Sequence, residues 1–302
     1  MNIKFLLIFI LFFFINLNIF GDEIEIISDN IKILDNGDTI ESTSTSAIIK
    51  KKKLYLEGNK SLYEKKKNLV TIIDDVIFLD NLKNIKIFTE EASYNQKKDT
   101  LVTKGTTTIK IEDKYNIKSK NVIYDRKLQV IFSNEQTTIN DDQNNIYNIK
   151  DRFKLDLIKE VISTNKVNVI DSKNNIYYFE NSKINLVNKE ILGKELKIEF
   201  VDNYFGNSNN DPKLRGRSAV SNDDETKIYK AVFTTCNTLN KSCPGWEIET
   251  EEFTHDKIKK TFNYKNSWLK LFDKEVFYFP FFSHPDPTIK RKSGFLPATY
   301  GS

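Results

Sequence analysis

Between Asp22 and Val201 apolar and polar residues alternate over short stretches. Ile85 and Ile87 flank Lys86, Ile109 and Ile111 flank Lys110, Val167 and Val169 flank Asn168, and Leu196, Ile198 and Phe200 are separated by Lys197 and Glu199. A period of two sends one set of side chains to a buried face and the other to water, which predicts strands. The breaks between them are Asn, Asp and Gly rather than Pro: Asp35-Asn36-Gly37-Asp38, Glu57-Gly58-Asn59, Asn140-Asp141-Asp142 and Ser172-Lys173-Asn174-Asn175. These residues tolerate the left-handed backbone of tight turns. No window before about Asp202 carries a helical period with capping signals, so the pattern predicts an all-β chain.

A longer repeat is superimposed on the alternation. Ile33, Tyr63, Tyr94, Tyr124, Leu155 and Ile184 follow one another at intervals of 30, 31, 30, 31 and 29 residues. Regularly spaced strands in a sandwich also produce turns at even intervals. The constancy of this interval favours stacked β units whose apolar faces are buried only by their neighbours. An open stack leaves unpaired N–H and C=O groups on its terminal strands, and one of those edges can accept another chain's strand.

Charge and composition narrow the function. The chain has 302 residues, with 46 Lys and Arg against 42 Asp and Glu, a net charge of +4. The two signs intermingle without a basic block, so nucleic acid is not an expected partner. With 2 His, 2 Cys and 1 Met, metal and His-based catalytic schemes lack ligands. Neither a cofactor, a metal nor a catalytic constellation is expected. Runs such as Lys50 to Lys53 and Lys65 to Lys67 read as solvated hairpin ends or as charged guards on an edge. Asp141-Asp142 and Asp223-Asp224-Glu225 lack the spacing of a calcium loop and read as turns.

The amino terminus has its own texture: Lys4, an apolar run from Phe5 to Ile15, then Gly21 before the acidic Asp22-Glu23. This describes a secretory signal peptide over residues 1–21, with Ile19 an awkward residue near the cut. The alternative, an uncleaved anchor, is short of the roughly 20 apolar residues needed to span.

After Val201 the texture changes again, because both Cys, both Trp, both His and every Pro lie beyond it. The blocks Phe233-Thr234-Thr235-Cys236, Pro244-Gly245-Trp246-Glu247-Ile248, Phe277-Tyr278-Phe279-Pro280 and Ser293-Gly294-Phe295-Leu296 occur in that order. Together they resemble the LptD family of lipopolysaccharide-assembly proteins, also called organic solvent tolerance proteins, closely over about the last hundred residues. The region from Asp22 to Val201 resembles the family's OstA-type domain in pattern only.

The resemblance implies an OstA/LptA-like β-jellyroll over residues 22–290: V-shaped, of stacked antiparallel strands, with an open groove on the periplasmic side of the outer membrane. In the family, lipopolysaccharide arrives from an LptA-like periplasmic bridge and leaves through a large barrel plugged by an LptE-like lipoprotein. Such a barrel needs some two dozen strands of about ten residues, roughly 240 residues. Only 22 residues follow Pro280, so residues 291–302 correspond to the start of the first strand of a barrel that is missing. A fragment of a longer gene and a separately encoded periplasmic half both fit, the fragment better.

Ile85, Ile87, Ile109, Ile111, Leu155, Leu157, Val167 and Val169 are the candidates for the lipid-facing wall, with ordinary core as their default role. The strand near Ile24 to Leu34 is the candidate edge for the LptA-like bridge. Cys236 and Cys243 enclose six residues, and an oxidising compartment makes a local disulfide the simple reading. The family implies instead a long-range bridge toward the barrel, and zinc with His255 and His284 is a third option. Pro297 is the candidate for the family's lateral-gate proline, displaced by one residue. Trp246, Trp268 and Val276 to Phe282 read as core before lipid path, and His284 as a turn residue. The competing functions are a free LptA-like bridge module, an exported β-solenoid enzyme acting on polysaccharide, and an adhesin.

Overall fold

Strands occupy the chain wherever the sequence alternates, and the turns between them recur about every fifteen residues. The computed structural model describes residues 24–112, 114–172, 174–200, 213–234, 245–286 and 289. Residues 1–21, Cys236, Cys243, residues 291–302 and Pro297 lie outside the described residues.

The first elements are β1 (Glu25–Ile27), β2 (Asn30–Leu34), β3 (Thr39–Ile49), β4 (Leu54–Glu64), β5 (Leu69–Asp80), β6 (Ile85–Asn95) and β7 (Thr100–Ile111). The middle crossings are split in two: β8 (Tyr115–Lys120) with β9 (Ile123–Asp125), β10 (Val130–Ser133) with β11 (Thr137–Asn140), and β12 (Ile146–Ile149) with β13 (Phe153–Asp156). Long strands then resume as β14 (Val161–Ile170), β15 (Ile176–Asn185), β16 (Ile191–Glu199), β17 (Lys213–Ser221) and β18 (Glu225–Thr234). The last three are β19 (Trp246–Asp256), β20 (Thr261–Leu271) and β21 (Lys274–Pro285). All belong to one antiparallel meander in which each crossing pairs with the one before and the one after. Among the described residues there is no α-helix, only three single 3-10 turns at Asp35–Gly37, Lys50–Lys52 and Lys65–Lys67. The fold is all-β, and its long folded sheet matches the jellyroll expectation.

The 30-residue interval is one full round trip of this meander. Tyr63 pairs with Val70, Val70 with Tyr94, Tyr94 with Leu101, Leu101 with Tyr124, Tyr124 with Ile131, Ile131 with Leu155, Leu155 with Ile162, and Ile162 with Ile184. The repeating positions therefore form a continuous apolar row across the stack. A second row runs through the other half of the same strands, from Ala47, Leu56, Phe78, Ile87, Ile109, Ile117 and Ile139 to Tyr147 and Val169.

Between the two rows each crossing bends. Ser44, Asp74, Asp75, Gly105, Asn121, Asn181, Glu195, Lys230 and Asn266 adopt positive φ in mid-crossing, and the pairing registers shift there, as between Ile73 and Val76. Such bulges kink a strand and release ladder groups. A buried spine of hydroxyls follows the crease: Ser42 meets Ser61 at 2.6 Å, Thr103 meets Thr107 at 2.8 Å, Ser119 meets Thr137 at 2.8 Å and Ser267 meets Thr250 at 2.9 Å. Small hydroxyl side chains satisfy polar groups where the sheet folds most sharply. Gly58 also sits at this line, because a Cβ there would lie 2.5 Å from Ile72 Cγ2 and 3.0 Å from the Asp74 carbonyl. Glu57-Gly58-Asn59 is thus a crease inside β4 and not a turn between strands.

The crease folds the sheet into two facing halves with their apolar rows turned inward. Phe78 of one half packs against Tyr94 and Tyr124 of the other, at ring-centroid distances of 6.3 and 6.2 Å. The hairpin turns form two opposed rims. One rim carries the turns near residues 52, 82, 112, 142 and 172, the other those near 36, 66, 97, 128, 158, 188, 223 and 258. The shape is a trough with its base at the crease and its slot between the rims.

Candidate functional site

The slot is the part of the molecule with chemistry to offer, and its character changes along the stack. From β4 to β10 it is shut by a cross-rim cluster. Asp80, at the end of β5, is fully buried and accepts Arg126 Nε at 2.7 Å and the Tyr124 hydroxyl at 2.9 Å from the opposite rim. Arg126 Nη1 also reaches both Asp99 oxygens at 2.9 and 3.0 Å. Lys52 crosses from the first rim to the Gln96 carbonyl at 3.0 Å, the Tyr94 hydroxyl at 3.2 Å and Asp99 at 3.4 Å. Lys83 donates to Gln129 across the same gap. We call this cluster the clasp.

Its charges are set by one another. Burial alone would push the Asp99 carboxyl up, but hydrogen bonds from Tyr94 and Arg126 and the nearby Lys52 ammonium outweigh it and hold the group below the ordinary carboxylate range. Burial and the neighbouring aspartates push the Tyr94 and Tyr124 hydroxyls up, so both stay neutral donors. The lysine run does not behave as a solvated surface throughout: Lys52 keeps only 18% of its side-chain exposure, whereas Lys50 keeps 77%. A carboxylate depressed in the folded state stabilises above its unfolded pKa of about 4 and loses that contribution as pH falls through the lower folded value. The stability difference between the parent chain and Asp99→Asn is therefore expected to be full at pH 7 and to shrink below about pH 4. Urea midpoints at a series of pH values check this.

Beyond the clasp the slot opens twice. A smaller cavity of about 440 Å³ lies between the rims beside Ile85, Ile111, Leu155 and Leu157. Two polar bridges separate it from the next opening: the Tyr115 hydroxyl donates to the Leu186 carbonyl at 2.6 Å, and Lys189 pairs with Asp142 at 2.7 Å. The larger cavity, about 920 Å³, has Tyr147, Val169, Tyr177 and Phe179 on its inner wall and Lys257 and Lys260 on its rim.

One rim of this mouth is built twice from the same segment. Asp141-Asp142-Gln143-Asn144-Asn145-Ile146-Tyr147 and Asp171-Ser172-Lys173-Asn174-Asn175-Ile176-Tyr177 share the order Asp, then Asn-Asn-Ile-Tyr, 30 residues apart. In the first, Asp141 accepts from the Asn145 backbone and side-chain amides, each at 2.9 Å, and from the Tyr147 hydroxyl at 3.0 Å. In the second, Asp171 accepts the corresponding bonds from Asn175 at 2.9 and 3.0 Å and from Tyr177 at 3.1 Å. The aspartate closes each hairpin and pins the tyrosine ring on the cavity wall. The repeated heptad was the signal in the sequence; spacing alone marked these segments only as turns.

The eight candidates for the lipid-facing wall all point inward. Ile85, Ile87, Ile109, Leu155, Val167 and Val169 are buried, and Ile111 and Leu157 are half-buried against the core. The trough does not bring them to one surface. Ile85, Ile111, Leu155 and Leu157 border the smaller cavity, Val169 borders the larger one, and Ile87 and Ile109 are packed in the interior row. The aromatic residues expected to be core are so only in part: Trp246 and Phe282 pack against the core, whereas Val276, Phe277, Tyr278 and Phe281 of β21, an edge strand among the described residues, are exposed, and Trp268 lies on the outer face against Tyr278 at 5.0 Å. His284 is a strand residue stacked on Tyr264 and not a turn residue. At the opposite edge, Ile27, Ile31 and Ile33 of β1 and β2 are exposed. Among the described residues no group of three or more His, Cys, Asp or Glu could hold a metal ion.

No family model and no curated protein matches this sequence. Among solved structures it is similar to LptH from Pseudomonas aeruginosa, described as the LptA-homologous periplasmic component of the conserved lipopolysaccharide transport device. The identity is 15% and the TM-score 0.33, over 37% of this chain and 83% of that one.

Proposed function

We propose that this chain is a periplasmic trough for lipopolysaccharide, the OstA-like part of an LptD-type assembly protein that hands the lipid to an outer-membrane barrel. The observation that carries the reading is the mouth: a cavity of about 920 Å³ whose apolar wall continues the buried rows of the folded sheet while its rim is polar and charged. Such a boundary suits an amphiphile, with acyl chains on the wall and the polar head at the rim. Each methylene removed from water is worth about 0.8 kcal/mol, so a few sheltered carbons outweigh a single polar contact. Movement along the trough needs no covalent chemistry, and the chain acts as a binding conduit and not as an enzyme.

Residues 22–290 form the trough in this proposal, residues 1–21 direct export, and residues 291–302 with Pro297 lead toward the barrel and its LptE-like lipoprotein. The exposed strands β1 and β2 offer an edge to an LptA-like bridge by strand addition. A free bridge module is the alternative. The blocks from Phe233 to Leu296 favour the LptD-type reading, because a bridge has no use for a barrel entry.

Photoreactive residues at Val169 and Tyr177 are expected to crosslink to lipopolysaccharide in cells, whereas one at Val102, exposed on the outside, is not. Labelling confined to the outer position would rule out the conduit.

A further inference from the structure

The clasp lies where a trough for a headed lipid should be open. Between β4 and β10 the two halves meet through Phe78, Tyr94 and Tyr124, and above them the rims are tied by Asp80, Arg126, Asp99 and Lys52. Two features distinguish this tie from an ordinary surface ion pair. Its groups are largely dry, with side-chain exposures of 0% for Asp80 and 9% for Arg126. They also come from opposite rims, joining hairpin turns that no backbone ladder connects: Arg126 and Asp80 are 46 residues apart, and Lys52 and Asp99 are 47 apart. Besides this tie and the bridges Lys83–Gln129, Tyr115–Leu186 and Lys189–Asp142, the halves are continuous through the crease, where Gly58 and the positive-φ residues Asp74, Asp75, Gly105 and Asn121 lie. A sheet folded on such a line can open at the rims without losing a ladder bond.

We infer that the clasp is a lock across the slot, holding the amino-terminal section of the trough closed until a cargo with acyl chains and a large polar head parts the rims. This inference depends on the conduit reading for its cargo, but the lock itself is a property of the chain. Inserting one hydrocarbon layer between the halves requires a separation of roughly 4 Å, the carbon–carbon contact distance. A buried ion pair is suited to this role because it holds one geometry tightly and loses its advantage once water enters.

The test measures the rims directly. Nitroxide labels at Leu82 and Leu128, exposed residues of the two opposed rims, are placed in a Cys236→Ser/Cys243→Ser background, and their distance distribution is read by pulsed electron resonance. In Asp80→Asn/Arg126→Gln, which removes both charges and shortens the Arg126 side chain while leaving it polar, the mean distance is expected to lengthen by roughly 4 Å with the β-sheet circular dichroism retained. Should that variant lose its β spectrum, Lys52→Gln carries the same expectation with a smaller shift, because the Asp80–Arg126 pair stays in place. A distribution identical to the parent's in a folded variant overturns the lock. Lipopolysaccharide added to the parent is expected to produce the same long-distance population. Lipid bound at Val169 with the rims unmoved overturns the cargo's part in opening. Absence of any bound lipid sinks the conduit reading and the cargo's part with it, while the variant distances still decide whether the clasp holds the rims.

Discussion

Replacing Asp80 with alanine is expected to lower the stability of the chain by about 3–5 kcal/mol, the range for breaking one partner out of a buried ion pair. The carboxylate is fully buried and accepts from Arg126 and Tyr124 across the slot, and it also closes its own turn by accepting the Leu82 amide at 3.1 Å. Its loss leaves the guanidinium with Asp99 and the Lys52 carbonyl and takes the carboxylate acceptor away from the buried Tyr124 hydroxyl. Asp99 still holds Arg126 Nη1, which places the expected loss toward the lower end. The pair Asp80→Leu/Arg126→Met should recover part of it, since an apolar filling of similar volume is commonly neutral or better than a buried ion pair, but not all, because Asp99 then loses the guanidinium and is left with Lys52 and Tyr94. Urea midpoints of the three chains decide the matter. A single variant as stable as the parent would mean that water already reaches the cluster.

Phe78→Ala is expected to cost about 3–5 kcal/mol, the range for removing a large buried aromatic. Phe78 is completely buried, and its ring meets Tyr124 edge-on and Tyr94 at a tilt. It is a contact made between the two halves beneath the clasp and not within one ladder, so truncation removes packing from both faces of the trough. The residual void is apolar and is expected to stay dry and take up a small apolar probe such as benzene. Chemical denaturation gives the first quantity and probe titration the second. A loss below about 1 kcal/mol would show that the halves collapse to fill the gap.

Both predictions concern residues whose importance lies in contacts between distant turns, and this marks how far sequence patterning reached. Ile87, Ile109 and Val169 could be placed on an inward face because a strand alternates with period two whatever it packs against. The row from Tyr63 to Ile184 could be placed in a stack because a meander of equal crossings repeats its turns at a fixed interval. Asn121, Asn181 and Asn266 could not be told from turn residues, since the left-handed backbone that asparagine tolerates serves a mid-strand crease as well as a hairpin. Lys52 stands in a run of four lysines and gives no local sign that it alone turns into the slot. The aromatic strand β21 looked like core because composition records hydrophobicity and not which strand lies at an edge.

The sequence by itself determined the all-β class, the turn interval and the inward set of side chains, because each follows from contacts within a strand or between adjacent crossings. The clasp, the two cavities and the division of one trough into a shut and an open section were decided only by tertiary structure. Asp80, Asp99, Arg126 and Lys52 acquire their roles when the crease brings opposite rims together. That meeting depends on the angle of a fold, which no residue interval encodes.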